Sequence, residues 1–278
     1  MPDGWLNVVT CDDDVAPRLV EHPDVAVISF TGSAAVGWAI AAAAPASPGG
    51  PRARQQRTGH HEADADLALA AAKVAAGGFA FAGQTCIAVQ RVYVHEAVHG
   101  RFLDELVPRV QRLVCGDPLD PTTDVSALIT GDDTRRVHGI VEAAVGGGAT
   151  IRCGGTVDDR GVLAPTVLDG VTADMAVCRE EVFGPVVGVA PYASFDEAVA
   201  LANDTSYGLQ AAVFTASLGR ALDAAHRLEF GGVLVNEMPT FRADQMPYGG
   251  VKASGNTREG PAYAVDELTE RRLVVLPR

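Results

Sequence analysis

Short apolar runs alternate with helical patterns along most of this 278-residue chain, and that alternation constrains the fold more than any single motif does. Leu6 to Thr10 and Val25 to Phe30 read as short buried strands, with Val15 to Glu21 between them as a short helix and Val36 to Ala44 as a helix after the second. Farther on, Asp64 to Ala82 is an Ala-rich helical pattern, Arg91 to Val94 a strand, Val98 to Leu113 an amphipathic helix and Asp132 to Gly146 another helix. Short strands follow at Ala149 to Arg152 and Leu163 to Leu168. The pattern closes with a helix over Phe195 to Asn203, a strand over Tyr207 to Phe214, a helix over Ser217 to Leu228 and strands over Gly232 to Asn236 and Arg271 to Leu276. Strands separated by helices predict an α/β fold built on a parallel sheet.

Within this frame, Phe81-Ala82-Gly83-Gln84-Thr85-Cys86 sets one cysteine just after a small, flexible turn and before the apolar run Ile87 to Val94. Only the thiolate attacks, so a reactive cysteine needs a depressed pKa or an adjacent base. On composition alone Cys86 reads as a buried structural thiol, and it is the spacing around it that points to a nucleophile. A second turn, Phe30-Thr31-Gly32-Ser33, lies at a strand's carboxyl end and opens a helix, where backbone N–H groups and the positive helix end suit a pyrophosphate. The same turn serves as a plain N-cap.

Composition narrows the partners. A net charge of -13 argues against nucleic acid or an anionic membrane surface, both of which reward basic faces, and leaves a small molecule. Five widely spaced cysteines without CxxC indicate neither a disulfide framework nor a zinc site and fit a reducing cytoplasm. The start has no secretory pattern and no apolar run reaches ~18 residues, so neither secretion by that route nor a membrane span is expected. His60, His61, Glu62, Asp64 and Asp66 are metal-ligand types without a metal-site spacing, and no metal is expected.

Four motifs in order, Phe30-Thr31-Gly32-Ser33, Gly83-Gln84-Thr85-Cys86, Glu180-Glu181-Val182-Phe183-Gly184-Pro185 and Gly249-Gly250-Val251-Lys252-Ala253-Ser254-Gly255, resemble those of the aldehyde dehydrogenase superfamily. The resemblance runs from about Gly4 to Leu276. It implies a partial NAD(P)-binding domain over 1–45, a catalytic domain over 63–255 and a C-terminal helix and oligomerisation strand over 256–278. It also implies Cys86 as nucleophile, Gly32, Ser33 and Val36 at the phosphates of NAD or NADP, Glu181 on the nicotinamide ribose and Phe183 beside the nicotinamide. The expected reaction is oxidation of an aldehyde to a carboxylic acid through a thiohemiacetal and a thioester on Cys86. Phe241 to Tyr248 resembles the branch acting on lactaldehyde, glyceraldehyde phosphate or phosphonoacetaldehyde, with Arg242 facing a polar or anionic substrate group; Arg242 also reads as a surface arginine.

Residues 46–62 break the resemblance. The stretch has no apolar periodicity and is crowded with Pro, Gly and Arg, which by itself describes a flexible linker. The family has here Val-x-Leu-Glu-Leu-Gly-Gly, a buried strand whose glutamate activates the hydrolytic water, and counting back from Asp64-Ala65-Asp66-Leu67 places Arg52 at that glutamate. Pro51 to His61 can be encoded so that reading one base later gives Leu-Glu-Leu-Gly-Ser-Asn-Ala-Pro-Val-Ile, which points to two compensating frameshifts. As written, the segment is expected to leave the sheet as an exposed loop, because an unpaired arginine is costly to bury.

By the resemblance, Met1 falls inside the cofactor domain. The oxyanion-hole asparagine, the lysine at the adenine ribose and the hairpin that pairs with the last strand would then be absent, so weak cofactor binding is expected. The family is homo-oligomeric, and that missing hairpin leaves assembly of this chain open. Two rival readings are a catalytically inactive fragment or partner subunit, and a cofactor-independent cysteine esterase.

Overall fold

A computed structural model describes residues 1–44, 51–53 and 58–277. Its strands are β1 (Phe30–Gly32), β2 (Pro51–Ala53), β3 (Thr58–His61), β4 (Arg91–His95), β5 (Thr150–Cys153), β6 (Thr166–Asp169), β7 (Val186–Tyr192), β8 (Tyr207–Gly208), β9 (Gln210–Phe214), β10 (Gly232–Val235) and β11 (Val251–Lys252). Its α-helices are α1 (Pro17–Val20), α2 (Ala34–Ala43), α3 (Leu67–Phe79), α4 (His99–Gln111), α5 (Gly131–Gly146), α6 (Ala176–Arg179), α7 (Phe195–Asn203), α8 (Leu218–Arg227) and α9 (Pro261–Leu268).

The main sheet has seven strands in the order β10-β9-β3-β4-β7-β6-β5, parallel throughout except for the β5–β6 pair. Its central strands are covered on both faces, so β4, β7 and β9 are almost wholly buried and turn apolar residues to both sides. Polar residues start the helices: Asp66, Thr130, Ser194 and Ser217 each accept a hydrogen bond from the backbone N–H three residues on. Arg91, buried in β4, is tolerated because its guanidinium donates to the carbonyls of Leu201 and Ala202 at the end of α7, where the helix dipole favours a cation.

The parallel α/β expectation holds, with corrections. Leu6 to Thr10 forms no strand, and of Val25 to Phe30 only Phe30 enters one. Leu6, Val8 and Val9 stand in solvent, because none of the described residues pairs with their backbone. Arg271 to Leu276 likewise forms no strand, and Leu273 to Leu276 are exposed. Tyr207 to Phe214 is split at Leu209, since β8 turns away to pair antiparallel with β11 while β9 enters the main sheet.

The largest correction concerns residues 46–62. Residues 45–50 and 54–57 lie outside the described part, but 51–53 pair in parallel with β1, Arg52 opposite Thr31, and 58–61 form β3 between β9 and β4. The described backbone of this segment stays in sheets instead of leaving as a loop. In β3 the ladders to β4 and β9 take up the backbone donors and acceptors on both sides, even though the sequence has poor strand propensity. His61 is fully buried in β3, its ring stacked between Phe102 and Phe214 at 4.8 Å from each.

Candidate active site

Register explains why distant motifs meet. β4 and β7 are parallel neighbours with Arg91 opposite Gly188, so the segments leading into them, 83–90 and 180–185, emerge side by side at the edge where the strands begin. Gly83 sits there with φ +69°, a conformation that favours glycine, and a Cβ on it would come 2.1 Å from the Gly184 carbonyl oxygen. The turn before Cys86 therefore presses directly against the Glu-Glu-Val-Phe-Gly-Pro segment. Phe81 and Ala82 also adopt left-handed conformations, with φ of 53° and 55°, so the chain turns sharply between the end of α3 and the cysteine.

Gln90, just before β4, locks the two segments together. Its buried amide donates to the Val177 carbonyl at 2.8 Å and the Glu180 carbonyl at 2.7 Å, while Oε1 accepts from the Val182 N–H at 3.0 Å. No motif in the sequence singles out Gln90. A lone glutamine opening an apolar strand was the available signal, because a buried amide is retained only where partners satisfy it. Glu181 is half-buried within this frame, and its charge adds to burial in pushing the Tyr207 hydroxyl up from its ordinary pKa. Phe183 is held at φ 48°.

The chain returns to the same edge after β10. A Cβ on Gly231, at the entry to β10, would come 1.8 Å from the Gly249 carbonyl oxygen, so the closing loop lies hard against the start of that strand. This brings Tyr248 to the nucleophile: its hydroxyl is 3.2 Å from Cys86 Sγ, with Tyr248 buried and Cys86 half-buried. The Arg242 guanidinium lies over the Tyr248 ring at 4.5 Å from its centroid and pairs with Glu259 at 2.8 Å. Lys252 and Ser254 of the same loop are structural, the lysine bound to Glu229 at 2.7 Å and the serine hydroxyl accepting from the Gly208 N–H.

Gly32 and Ser33 close β1 and cap α2, where the Ser33 hydroxyl accepts from the Val36 N–H at 3.4 Å. Val36 is half-exposed on the first turn. This unit is joined to the closing loop by the Trp38 indole N–H, which donates to the Ala253 carbonyl at 3.3 Å. Of the expected site residues, the structure brings Arg242, through Tyr248, to Cys86 and sets the Glu181–Phe183 segment against the Cys86 turn. The Arg52 backbone lies beside β1, and its side chain is outside the described part. Among the described residues no helix is long and apolar enough to cross a membrane.

Known proteins resemble this chain along nearly its whole length. The 3-sulfolactaldehyde dehydrogenase of Priestia megaterium is 43% identical over 282 residues, covering 99% of this chain and 58% of that protein. The lactaldehyde dehydrogenase of Methanocaldococcus jannaschii is 35% identical over 283 residues, covering 100% and 60%. The chain thus spans a little over half the length of the curated relatives it matches. Among solved structures, the NADP complex of glyceraldehyde-3-phosphate dehydrogenase GapN from M. jannaschii superposes with a TM-score of 0.88 at 37% identity, over 91% of this chain and 55% of that one. The NADP complex of the NADP-dependent glyceraldehyde-3-phosphate dehydrogenase from Bacillus halodurans gives 0.93 at 33% identity, over 96% and 56%. The profile of the Aldehyde dehydrogenase family matches residues 1–274, and the chain belongs to that family.

Proposed function

We propose that this chain carries the nucleophile and nicotinamide side of an NAD(P)-dependent aldehyde dehydrogenase, with 1–45 as part of the cofactor domain and 63–255 as the catalytic domain. The observation that carries this reading is the Cys86 turn packed against the Glu181–Phe183 segment through Gly83 and Gly184. The residues fit the cofactor chemically. The start of α2, with Gly32, Ser33 and Val36, offers a positive helix end to phosphate, the Glu181 carboxylate suits the two donors of a ribose diol, and Phe183 offers an aromatic face. NAD or NADP, when bound, supplies the hydride acceptor. Cys86 Sγ adds to the aldehyde carbon to give a thiohemiacetal; with that acceptor bound, the carbon-bound hydrogen would leave as hydride to give a thioester on Cys86, which water cleaves to the carboxylic acid and the free thiol.

Arg52 defines the weak step. By the family resemblance it stands where the general base would be, and a guanidinium stays protonated and takes no proton from water, so acylation of Cys86 should outrun hydrolysis. Incubated with NAD or NADP and an aldehyde, the chain should show a stoichiometric burst of reduced cofactor and slow turnover, lost in Cys86→Ala. Arg52→Glu should raise the steady-state rate by about 10²-fold or more. No burst with any aldehyde, or an unchanged rate in Arg52→Glu, overturns the assignment. Arg52 also favours the second reading, a non-catalytic fragment or partner subunit, for which the absence of a burst is the signature. Hydrolysis of a nitrophenyl ester without cofactor, lost in Cys86→Ala, would mark a cysteine esterase instead.

The substrate is a small polar or anionic aldehyde. Arg242 stands one side chain from Cys86, and the relatives named above are dehydrogenases of sulfolactaldehyde, lactaldehyde and glyceraldehyde-3-phosphate. Because Glu259 already pairs with Arg242, an anionic substrate must compete for that cation, and Arg242→Ala should change relative preference for anionic over neutral aldehydes. The chain's oligomeric state is best read by light scattering, since the exposed apolar residues at Leu6 to Val9 and Leu273 to Leu276 favour association.

A further inference from the structure

We infer that Tyr248 is a positioning residue for the nucleophile, donating its hydroxyl to the Cys86 sulfur and thereby favouring the thiolate, and that Arg242 and Glu259 exist in part to hold and polarise it. The inference rests on the reading of Cys86 as nucleophile. Tyr248 Oη lies 3.2 Å from Cys86 Sγ, a contact in which either group can donate while the thiol is neutral. Once the sulfur has lost its proton only the phenol can donate, so the interaction strengthens on ionisation. A hydrogen bond made to the charged form favours that form.

The surroundings keep the hydroxyl on the sulfur. Tyr248 is buried, and its backbone is bridged both ways to Glu259, whose carbonyl accepts from the Tyr248 N–H at 3.1 Å and whose N–H donates to the Tyr248 carbonyl at 2.5 Å. Arg242 covers the ring face at 4.5 Å, and the Glu259 carboxylate fixes that guanidinium at 2.8 Å. A cation over the π face draws electron density from the ring and makes the phenolic O–H a better donor. The residue whose backbone bridges Tyr248 thus also anchors the cation that polarises its ring. Arg242 thereby acts on Cys86 through Tyr248, whether or not it also meets a substrate.

The test reads the thiol directly and needs neither cofactor nor turnover, so it can fail independently of the dehydrogenase assignment. The full chain is alkylated with iodoacetamide across a pH series, and the Cys86 peptide is followed by mass spectrometry, which separates it from the other four cysteines. Tyr248→Phe keeps the ring and its packing but removes the donor. Its Cys86 alkylation should be slower than in the unmodified chain by about three- to tenfold near neutral pH, the range expected for one charge-assisted hydrogen bond. The two rates should converge by about pH 10, above the ordinary range of an accessible thiol. Arg242→Gln, which keeps the hydroxyl and removes the cation, should show a smaller loss with the same convergence. Equal rates in Tyr248→Phe throughout, or a loss that persists undiminished at alkaline pH, overturns the proposal, the latter by showing that access to the sulfur had changed.

Discussion

At the scale of single residues, the site depends on two positions that carry no catalytic chemistry. Gly83 combines φ +69° with a neighbour that would lie 2.1 Å from any Cβ, and that neighbour is the Gly184 backbone, which cannot swing aside as a side chain would. Gly83→Ala should therefore cost at least ~2 kcal/mol from the left-handed conformation and the forced backbone shift together, read as a lower urea midpoint and a changed alkylation rate at Cys86. Unchanged stability would show that the turn relaxes freely. Gln90→Leu matches the volume but strands the Val182 N–H and the carbonyls of Val177 and Glu180, and should cost about 2–4 kcal/mol in the same measurement. The two cases differ in how readable they were. Gly83 stands in a motif legible from sequence, whereas the role of Gln90 depends on α6 folding back over the start of β4, a long-range placement that no local pattern encodes.

At the scale of elements, β3 is where sequence and structure conflict most. A central strand flanked on both sides should carry β-branched, apolar residues, yet it reads Thr58-Gly59-His60-His61. Local propensity gave a linker, and the tertiary fold overrode it because β4 and β9 each offer a full ladder of partners to whatever backbone lies between them. The opposite failure occurred at Leu6 to Thr10 and Arg271 to Leu276, where good strand sequence has no partner among the described residues. Strand formation follows from pairing more than from propensity, and this is why the alternation of elements was legible while these segments were not. A prediction belongs to β3 itself. Gly59 is buried, and a Cβ there would meet its nearest neighbours at 3.4 to 4.0 Å, ordinary contact. Gly59→Ala should stabilise the chain by about 0.5–1 kcal/mol, since a strand-interior glycine loses more conformational freedom than alanine. A loss of stability in urea denaturation would mean that β3 is not seated between β4 and β9 as described.

At the scale of the whole molecule, the main core holds several weak acids away from water, and this sets how the fold responds to alkali. Cys153, Cys178, Tyr93 and Tyr192 all belong to one continuous apolar cluster. Burial pushes the Cys178 thiol up to about 11, and burial also raises Cys153 and Tyr93; Tyr192 is raised by burial and then by its hydrogen bond to Glu62. In every case the folded state holds its proton more tightly than the unfolded chain does. As pH climbs past the ordinary thiol value near ~9, the unfolded state sheds protons first and binds fewer than the native state, so stability must fall with rising pH. The contribution of Cys178 is present in full below about pH 9 and is lost progressively as the pH approaches about 11; the tyrosines extend the loss upward from about pH 10. A net charge of -13 adds growing self-repulsion in the same direction. Urea midpoints measured at intervals from about pH 7 to 11 should stay nearly flat with respect to these groups up to about pH 8 and then decline. Cys178→Ala lowers stability at neutral pH by leaving a small cavity, but it removes one of the linked protons. Its decline between about pH 9 and 11 should therefore be shallower by about 2–3 kcal/mol, the equivalent of a shift of roughly two pH units in a nearly fully buried group. Parallel declines in the two proteins would mean that Cys178 is solvated in the native state and that the packing of α6 against β4 is looser than the Gln90 hydrogen bonds require.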